Sequence, residues 1–335
     1  MAHELTTNAG KTEMFYTGDA PWHMLGTALD HVATAKEAIF AAGMDWGVEK
    51  YPVFWQDGDG MHAIGDKRAI IRGDTRAYFS VMGDGYTPVS NSAAFYFFDR
   101  VVGAGEATYH TAGSLNGGKR IWILAKLNGE LAVTNKDVLE KYILLANSHD
   151  GSQALTMMFT PVRVVCSNTL RMAMGHKDHA FYARHTERVF NRALEAREVL
   201  GLAEAYFANF EAGAARLVAK QLKSKDLEEM LRWVIHIPNE EAFLSDLHKT
   251  KQYAVDQITA LFEKGRGNDM PGVKGTAWAA YNAVTEFVDY YRPAGKGAKT
   301  AGVMTAAVVD KRLNSAWFGS GSTIKERAWE HLLAN

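Results

Sequence analysis

Large apolar residues recur at every second position through much of the first half of the chain and at every third or fourth position through the second. Period 2 reads as half-buried strand and period 3.6 as amphipathic helix. Thr34–Ala42 (TAKEAIFAA) is the first helical stretch, with Thr34 as N-cap, Glu37 at the capping-box position and Gly43 as the stop. Trp46–Trp55 alternates large residues and runs into Asp57-Gly58-Asp59-Gly60, a hairpin turn that needs positive φ, with a return strand through Ile64. Lys67–Ile71 and Tyr78–Met82 pair across Gly73-Asp74-Thr75, and Ser92–Val102 is a buried helix ended by Gly103. Thr108–Ser114 and Lys119–Leu127 form a hairpin about Asn116-Gly117-Gly118. Asp137–Tyr142 reads as one helical turn, and Ile143–Ser148 with Ser152–Val165 as a further strand pair around His149-Asp150-Gly151.

A helix begins near Asn168, and helical periodicity then covers 186–222, 224–235, 239–263 and 274–291, with Pro238 as a break. A last helical segment, 303–333, is interrupted at Gly319-Ser320-Gly321. The pattern predicts an α+β fold: an antiparallel, hairpin-built sheet in the N-terminal half, strands mainly within 46–165, and a helical C-terminal half. It divides the chain into a flexible arm at 1–20, an α+β domain at 21–185, and a helical region at 186–335 with a mobile loop near 292–302. Trp278, Tyr281, Phe287, Tyr290 and Tyr291 make one helix apolar on more than one side. Such a helix is buried between domains or subunits, and a homo-oligomer is expected.

Composition narrows the function classes without choosing one. The 335 residues are 47% hydrophobic and 22% charged, as in ordinary globular proteins. Lys+Arg total 37 against 38 Asp+Glu, which excludes a polybasic nucleic-acid binder but not a local basic groove. Residues 160–200 are locally basic, with seven Lys or Arg against four acids. Cys166 is the single cysteine, which fits a reducing compartment. Without an N-terminal basic and apolar leader or an apolar run of about 18 residues, the expected location is the cytoplasm, away from membranes.

Several chemical motifs fail on inspection. Gly10-Lys11-Thr12 and Gly295-Lys296-Gly297-Ala298-Lys299-Thr300 each lack a glycine that a phosphate loop requires. His176, His179 and His185, with Cys166 and His149-Asp150, have ligand-like spacing, yet one cysteine and no His-Glu-x-x-His favour a polar loop over a metal site. Cys166 beside Val162–Val165 reads as a small core residue rather than a nucleophile. The constellation that remains is basic plus aromatic: Lys119 and Arg120 flank Trp122, and Arg163, Arg171, Arg184 and Arg188 lie close in sequence to Phe181 and Tyr182. Guanidinium groups meet phosphates and aromatic faces stack on unpaired bases, the recipe for sequence-tolerant single-strand binding. The competing reading makes Trp122 core and pairs the arginines with Glu187, Glu195 and Glu198.

Four segments in the first half carry a resemblance: Pro21–Thr27 (PWHMLGT), Gly113–Trp122 (GSLNGGKRIW), Asn147–Ser152 (NSHDGS) and Pro161–Leu170 (PVRVVCSNTL). With Lys274–Ala283 (KGTAWAAYNA), Glu286 and Asp289, they resemble the "phage/plasmid-like protein" family of mobile elements over about residues 20–330. That family has no assigned activity. The order of hairpins, a helix and further helices is also similar, at the level of fold alone, to single-strand annealing proteins of the Redβ and RecT kind. The resemblance implies a DNA-transaction protein that binds or anneals single-stranded DNA, and the basic and aromatic constellation supplies its expected contacts, Lys119, Arg120, Trp122, Arg163, Arg171, Arg184 and Arg188. That reading takes no catalytic residue, metal or cofactor. Two alternatives stay open: a metal-dependent hydrolase of nucleic acid or nucleotide built on His149, Asp150, Asn168 and His176 or His179, and an anti-defence factor that binds protein through its helical half.

Overall fold

A computed structural model describes residues 5–18, 25–102, 107–163, 168–169, 180–192, 198, 201–237, 247–293, 315–316 and 319–334. Its strands, in chain order, are β1 (Thr7–Asn8), β2 (Lys11–Thr12), β3 (Met14–Thr17), β4 (Thr27–Leu29), β5 (Val48–Asp57), β6 (Gly60–Arg72), β7 (Tyr78–Gly83), β8 (Ala107–Leu115), β9 (Arg120–Thr134), β10 (Asp137–Ser148), β11 (Leu155–Arg163), β12 (Asn168–Thr169) and β13 (Ala180–Ala183). The main sheet runs β12-β11-β10-β9-β8-β3-β4, and β13 also pairs with β11. Its centre is the antiparallel meander β8–β11, while β3 and β4 pair in parallel. A separate antiparallel sheet holds β5, β6 and β7.

Alternation gives the main sheet two covered faces. Ile121, Ile123, Ile143, Leu145, Met157 and Phe159 face the larger core. There they meet α1 (Ala35–Ala41), α2 (Asn91–Val102) and α3 (Ala203–Ala219), through residues such as Ala38, Phe95 and Phe207. Trp122, Leu124, Tyr142, Leu144 and Met158 face a smaller core with Leu5, Met14 and Leu115. α1 has the capping box read from the sequence: Glu37 N donates to Thr34 Oγ1 (3.3 Å) and Thr34 N to Glu37 Oε2 (2.8 Å), with Gly43 beyond at φ 63°.

The C-terminal half adds α4 (Ser224–Ile235), α5 (Lys249–Lys264), α6 (Ala277–Glu286), a π-helical turn at Phe287–Tyr291, and α7 (Ser320–Ala334). Every residue of α6 is buried. Trp278 and Tyr281 meet Phe210 and Trp329 of α3 and α7, and the Trp278 indole donates to Asp137 at the start of β10 (2.8 Å). The helix that is apolar all round is therefore enclosed by its own chain, and its composition does not require a second subunit.

The α+β class and the period switch hold. Several local expectations do not. Residues 5–18 are no loose arm: Phe15 is fully buried, and β3 pairs with β8 because its Met and Phe alternate between the two cores. Asp137–Tyr142 is strand rather than a helical turn. Asp137 N donates to Thr134 Oγ1 (3.1 Å), closing a tight turn that returns the chain alongside β9, with Leu139 buried against the core. Asn168–Thr169 pairs with Val162–Arg163 instead of opening a helix. β13 lies beyond the expected strand limit of 165; of the helix expected over 186–222, Val189–Arg192 is a 3-10 turn and Ala203–Ala219 is helix, while 193–197 and 199–200 lie outside the described residues. Gly103, Pro238 and most of the loop at 292–302 and the segment at 303–314 lie outside the described residues.

Candidate functional site

The two sheets meet at the β8–β9 turn. Asn116, Gly117 and Gly118 there all have positive φ (56°, 68° and 97°), which is why glycine fills two of the three positions. A Cβ on Gly118 would lie 2.9 Å from both Arg72 Nη1 and the Trp46 ring. Arg72, at the end of β6 and 1% exposed, reaches through this gap. Its guanidinium lies 4.1 Å from the Trp46 ring centre, donates from Nη1 to Glu13 Oε2 and to the Gly117 carbonyl (3.2 Å each), and grips Asp74 through Nε (2.6 Å) and Nη2 (2.9 Å). Nη2 also bonds Glu13 Oε1, and Ser114 Oγ donates to Glu13 Oε2. Burial opposes the charge on Arg72, but hydrogen bonds to Asp74 and Glu13 outweigh it and raise its pKa; the bond to Arg72 holds the Asp74 carboxyl below its usual range.

Two histidines line the same junction. Asn91 Nδ2 donates to the Met44 carbonyl (2.9 Å) and Asn147 Nδ2 to the Val89 carbonyl (3.2 Å), so each amide oxygen is left to accept. His149 Nε2 donates to Asn91 (2.9 Å) and His185 Nε2 to Asn147 (2.6 Å), with the tautomers assigned from these bonds. Burial first, and then the neighbouring His185, pushes His149 down to about 3; burial pushes His185 down to about 4. Phe79 stacks on the His149 ring at 5.8 Å and Trp46 meets its edge at 5.4 Å. His149 Nδ1 and Trp46 Nε1 have no hydrogen-bond partner among the described residues. His149 is fully buried and neutral, so it is not poised as a solvent-facing base.

Beside this junction the main sheet ends in cations. Arg120 opens β9 opposite Ser148, and its Nε and Nη2 donate to Ser152 Oγ (3.2 and 3.1 Å), which donates to Asp150 (2.5 Å). Lys119 precedes it, and its carbonyl accepts from His149 N (2.7 Å). Arg184 follows β13, whose Ala183 pairs with Leu155 at the start of β11. The pairing β9–β10–β11–β13 sets Arg120 and Arg184 about 14 Å apart, three strand spacings, at one end of the sheet. Arg184, Arg188 and Tyr182 are exposed. Among the described residues, Lys119, Arg120, Arg184 and Arg188 form no ion pair.

The structure does not assemble the full set read from the sequence. Arg163 pairs with Leu139 and Arg120 with Ser148, nine positions further along β10, so the two arginines stand about 30 Å apart. Asn168 pairs with Arg163 at that far end and cannot join His149 and Asp150. Trp122 and Phe181 are each 3% exposed, Trp122 in the smaller core and Phe181 stacked on Phe97 at 5.6 Å, so neither ring is open to a base. Alternation dictates this, because both sheet faces are covered. Arg171, Cys166, His176 and His179 lie outside the described residues, as does the Arg163 side chain. Among the described residues no three of His, Cys, Asp and Glu gather as a metal ion requires, and no helix is long and apolar enough to cross a membrane.

Residues 78–317, which hold these cations and histidines, match the family described as "Domain of unknown function (DUF932)". The chain belongs to that family. No curated protein and no solved structure matches it.

The DUF932 chain also carries exposed rings that the sequence reading passed over. Tyr51, Phe54, Trp55, Met61, Tyr78 and Val81 of the three-stranded sheet are all exposed. The signal was the run of large residues in Trp46–Trp55, but alternation alone does not tell which side of a strand meets solvent. The Glu13–Arg72 contact, 59 residues apart, has no local signal at all.

Proposed function

We propose that this DUF932 chain is a single-stranded DNA-binding protein whose phosphate contacts are Lys119, Arg120, Arg184 and Arg188, with Tyr182 beside them. One observation carries the reading: Lys119, Arg120 and Arg184 gather at one end of the main sheet, with exposed Arg188 four residues beyond Arg184, and none has a carboxylate partner among the described residues. Charge left unneutralised in a chain of net charge −1 suits a polyanionic partner. Strand annealing within recombination or replication of a phage or plasmid, in the bacterial cytoplasm and by a homo-oligomer, is the finer form of this proposal. Of the order that suggested it, the successive hairpins of β8–β11 and the helices from Ala203 onward stand, while the helix expected at Asn168 is a strand. Arg163 stands too far from this end to share the same phosphates.

The test is a gel-shift series of the purified protein with single- and double-stranded DNA, run with light scattering. Four phosphate contacts on a single strand give a logarithmic salt slope of about −3, so affinity should fall about 50-fold between 50 and 200 mM salt. Arg120→Glu with Arg184→Glu should abolish retention and leave the urea midpoint unchanged. Failure to retain single strands even at low salt would refute the reading.

A further inference from the structure

Antiparallel partners share a side of a sheet, so the register assigns the faces of the three-stranded sheet. Ile70, opposite Lys50 and Ser80, and Arg72, opposite Val48, point inward and are buried. The outward side carries Glu49, Ile71 and Tyr78 in one row and Tyr51, Ala69 and Val81 in the next. Alternation along β5 continues it through Val53, opposite Ile64, to Trp55, opposite His62. Tyr51, Trp55 and Tyr78 on this side are 39%, 51% and 57% accessible. Trp55 lies beyond a register shift between Pro52 and Val53, after which the other side of the hairpin is exposed too, with Phe54 at 47% and Met61 at 68%. Exposed aromatic residues grouped this way mark an interaction surface.

The rings are held in place. His62 stacks on one side of the Trp55 indole (4.5 Å between centres, 25°) and donates from Nε2 to Asp57 Oδ1 (3.1 Å). The Arg76 guanidinium lies 5.9 Å from the Tyr51 ring centre, and Arg76 and Glu49 both bond the Tyr51 hydroxyl. The inward side of β7, the strand that carries Tyr78, adjoins the cationic end. A Cβ on Gly151 would come 2.3 Å from Met82 of β7, and the neighbouring Ser152 holds Arg120. β7 is an edge strand of its sheet, so a chain leaving Arg120 on the inward side reaches the outward face by rounding that one strand.

We propose that this outward face is a stacking platform for the unpaired bases of a nucleic-acid single strand, with Tyr51, Trp55 and Tyr78 as its rings. The proposal rests on the single-strand reading above and replaces the rings read from the sequence, Trp122 and Phe181, which are buried. Single-strand sites combine a cationic track with sequence-tolerant stacking. Here the two parts are separate: the cations lie at the end of the main sheet and the rings on its neighbour. Three cations of the ring-bearing sheet are already neutralised, Arg76 by Glu49 (2.7 Å), Arg68 by Asp84 (3.0 Å) and Lys67 by Asp66 (3.3 Å), while Lys50 lies on the inward row and gives its Nζ to the Asp84 carbonyl (2.7 Å). Stacking there releases few counterions, so it contributes affinity without salt dependence.

That separation supplies the test, which uses the full chain and a fluorescent oligothymidylate followed by anisotropy at two salt concentrations. Each of Tyr51→Ala, Trp55→Ala and Tyr78→Ala should weaken binding by about 5- to 100-fold with the salt slope kept. Trp55→Phe should retain most of the affinity, and Arg120→Glu should flatten the slope instead. Photocrosslinking of an iodouracil-substituted strand to the unmodified protein should give adducts within 51–55 and at Tyr78, whatever the variants do to folding. Alanine variants that bind like the parent, with crosslinks elsewhere, would overturn the platform and leave the cationic site standing. A parent that binds no single strand would remove both. A lower mass for the alanine variants without DNA, by light scattering, would make the face a subunit contact and overturn the platform in favour of protein.

Discussion

The two sheets of this chain use the same residue types in opposite ways. In the main sheet Trp122, Tyr142, Phe159 and Phe181 are all nearly inaccessible and Tyr182 at the β13 edge is exposed, while the cations at its end have no acid partner among the described residues. In the three-stranded sheet Tyr51, Phe54, Trp55 and Tyr78 are outside and only Phe79 is buried, while Arg76, Arg68 and Lys67 are each paired with an acid. A sheet covered on both faces can offer a partner only its strand ends and turns, whereas a sheet with one free face can offer a surface. Aromatic and basic residues adjacent in sequence therefore need not share a function. In Lys119-Arg120-Ile121-Trp122, the cations reach the sheet end and the indole enters a core two positions later.

The contrast depends on the contact that joins the sheets, so its sharpest break is Arg72→Ala. The guanidinium is 1% exposed and Glu13 2%, and removing one member of a buried pair leaves the other charge uncompensated. Such losses cost about 3–5 kcal/mol. Urea unfolding should show a loss of that order, and proteolysis should open β5–β7 before the meander. A loss under about 1 kcal/mol would mean that Glu13 finds water when Arg72 is gone, and that the sheets are held together by apolar packing.

A smaller effect comes from the histidines at the same junction. His149 titrates near 3 and His185 near 4, against an ordinary value of 6.5. Both are neutral when folded, so the unfolded chain takes up protons first as pH falls. Their contribution is complete above about pH 6.5 and is lost as pH falls toward 4 and then 3. Asp74, lowered by Arg72, acts in the same direction at lower pH. The urea midpoint should decline steadily from pH 7 to pH 4.5, and His185→Gln should flatten the decline, since it removes a group that gains a proton only on unfolding. A midpoint level over that range would place both rings in contact with water.

What could be read in advance was local. The capping box of α1, the turns at Gly58-Asp59 and at Asn116–Gly118, and α4 all follow from residues a few positions apart. Errors arose where distant segments decide. Asp137–Tyr142 is strand because β9 lies beside it. The rings of α6 meet Asp137 and Trp329 from distant parts of the same chain, so its apolar composition is not by itself an argument for a second subunit. Among the cations, sequence proximity brought Arg163 to Arg184, and strand register took them apart again. His149 was visible as a motif residue, but its partner Asn91 is 58 positions away, so its burial was not.

The smallest expected effect is on the stability of the ring-bearing sheet itself. Trp55→Ala deletes a half-exposed indole whose described ring contact is the stack on His62. The hairpin that carries it keeps its turn, because Asp57 Oδ1 still accepts from the backbone N–H of Asp59 (2.9 Å) and Gly60 (3.1 Å). Surface substitutions away from buried contacts stay within about 0.5 kcal/mol, so the urea midpoint of Trp55→Ala should match that of the parent. A match says that folding gains nothing from this ring, which leaves its exposure to be explained by a partner. A loss well above 1 kcal/mol would show instead that the Trp55–His62 stack holds the ribbon together. The exposed rings would then be structural, and the opposition between the two sheets would rest on their cations alone.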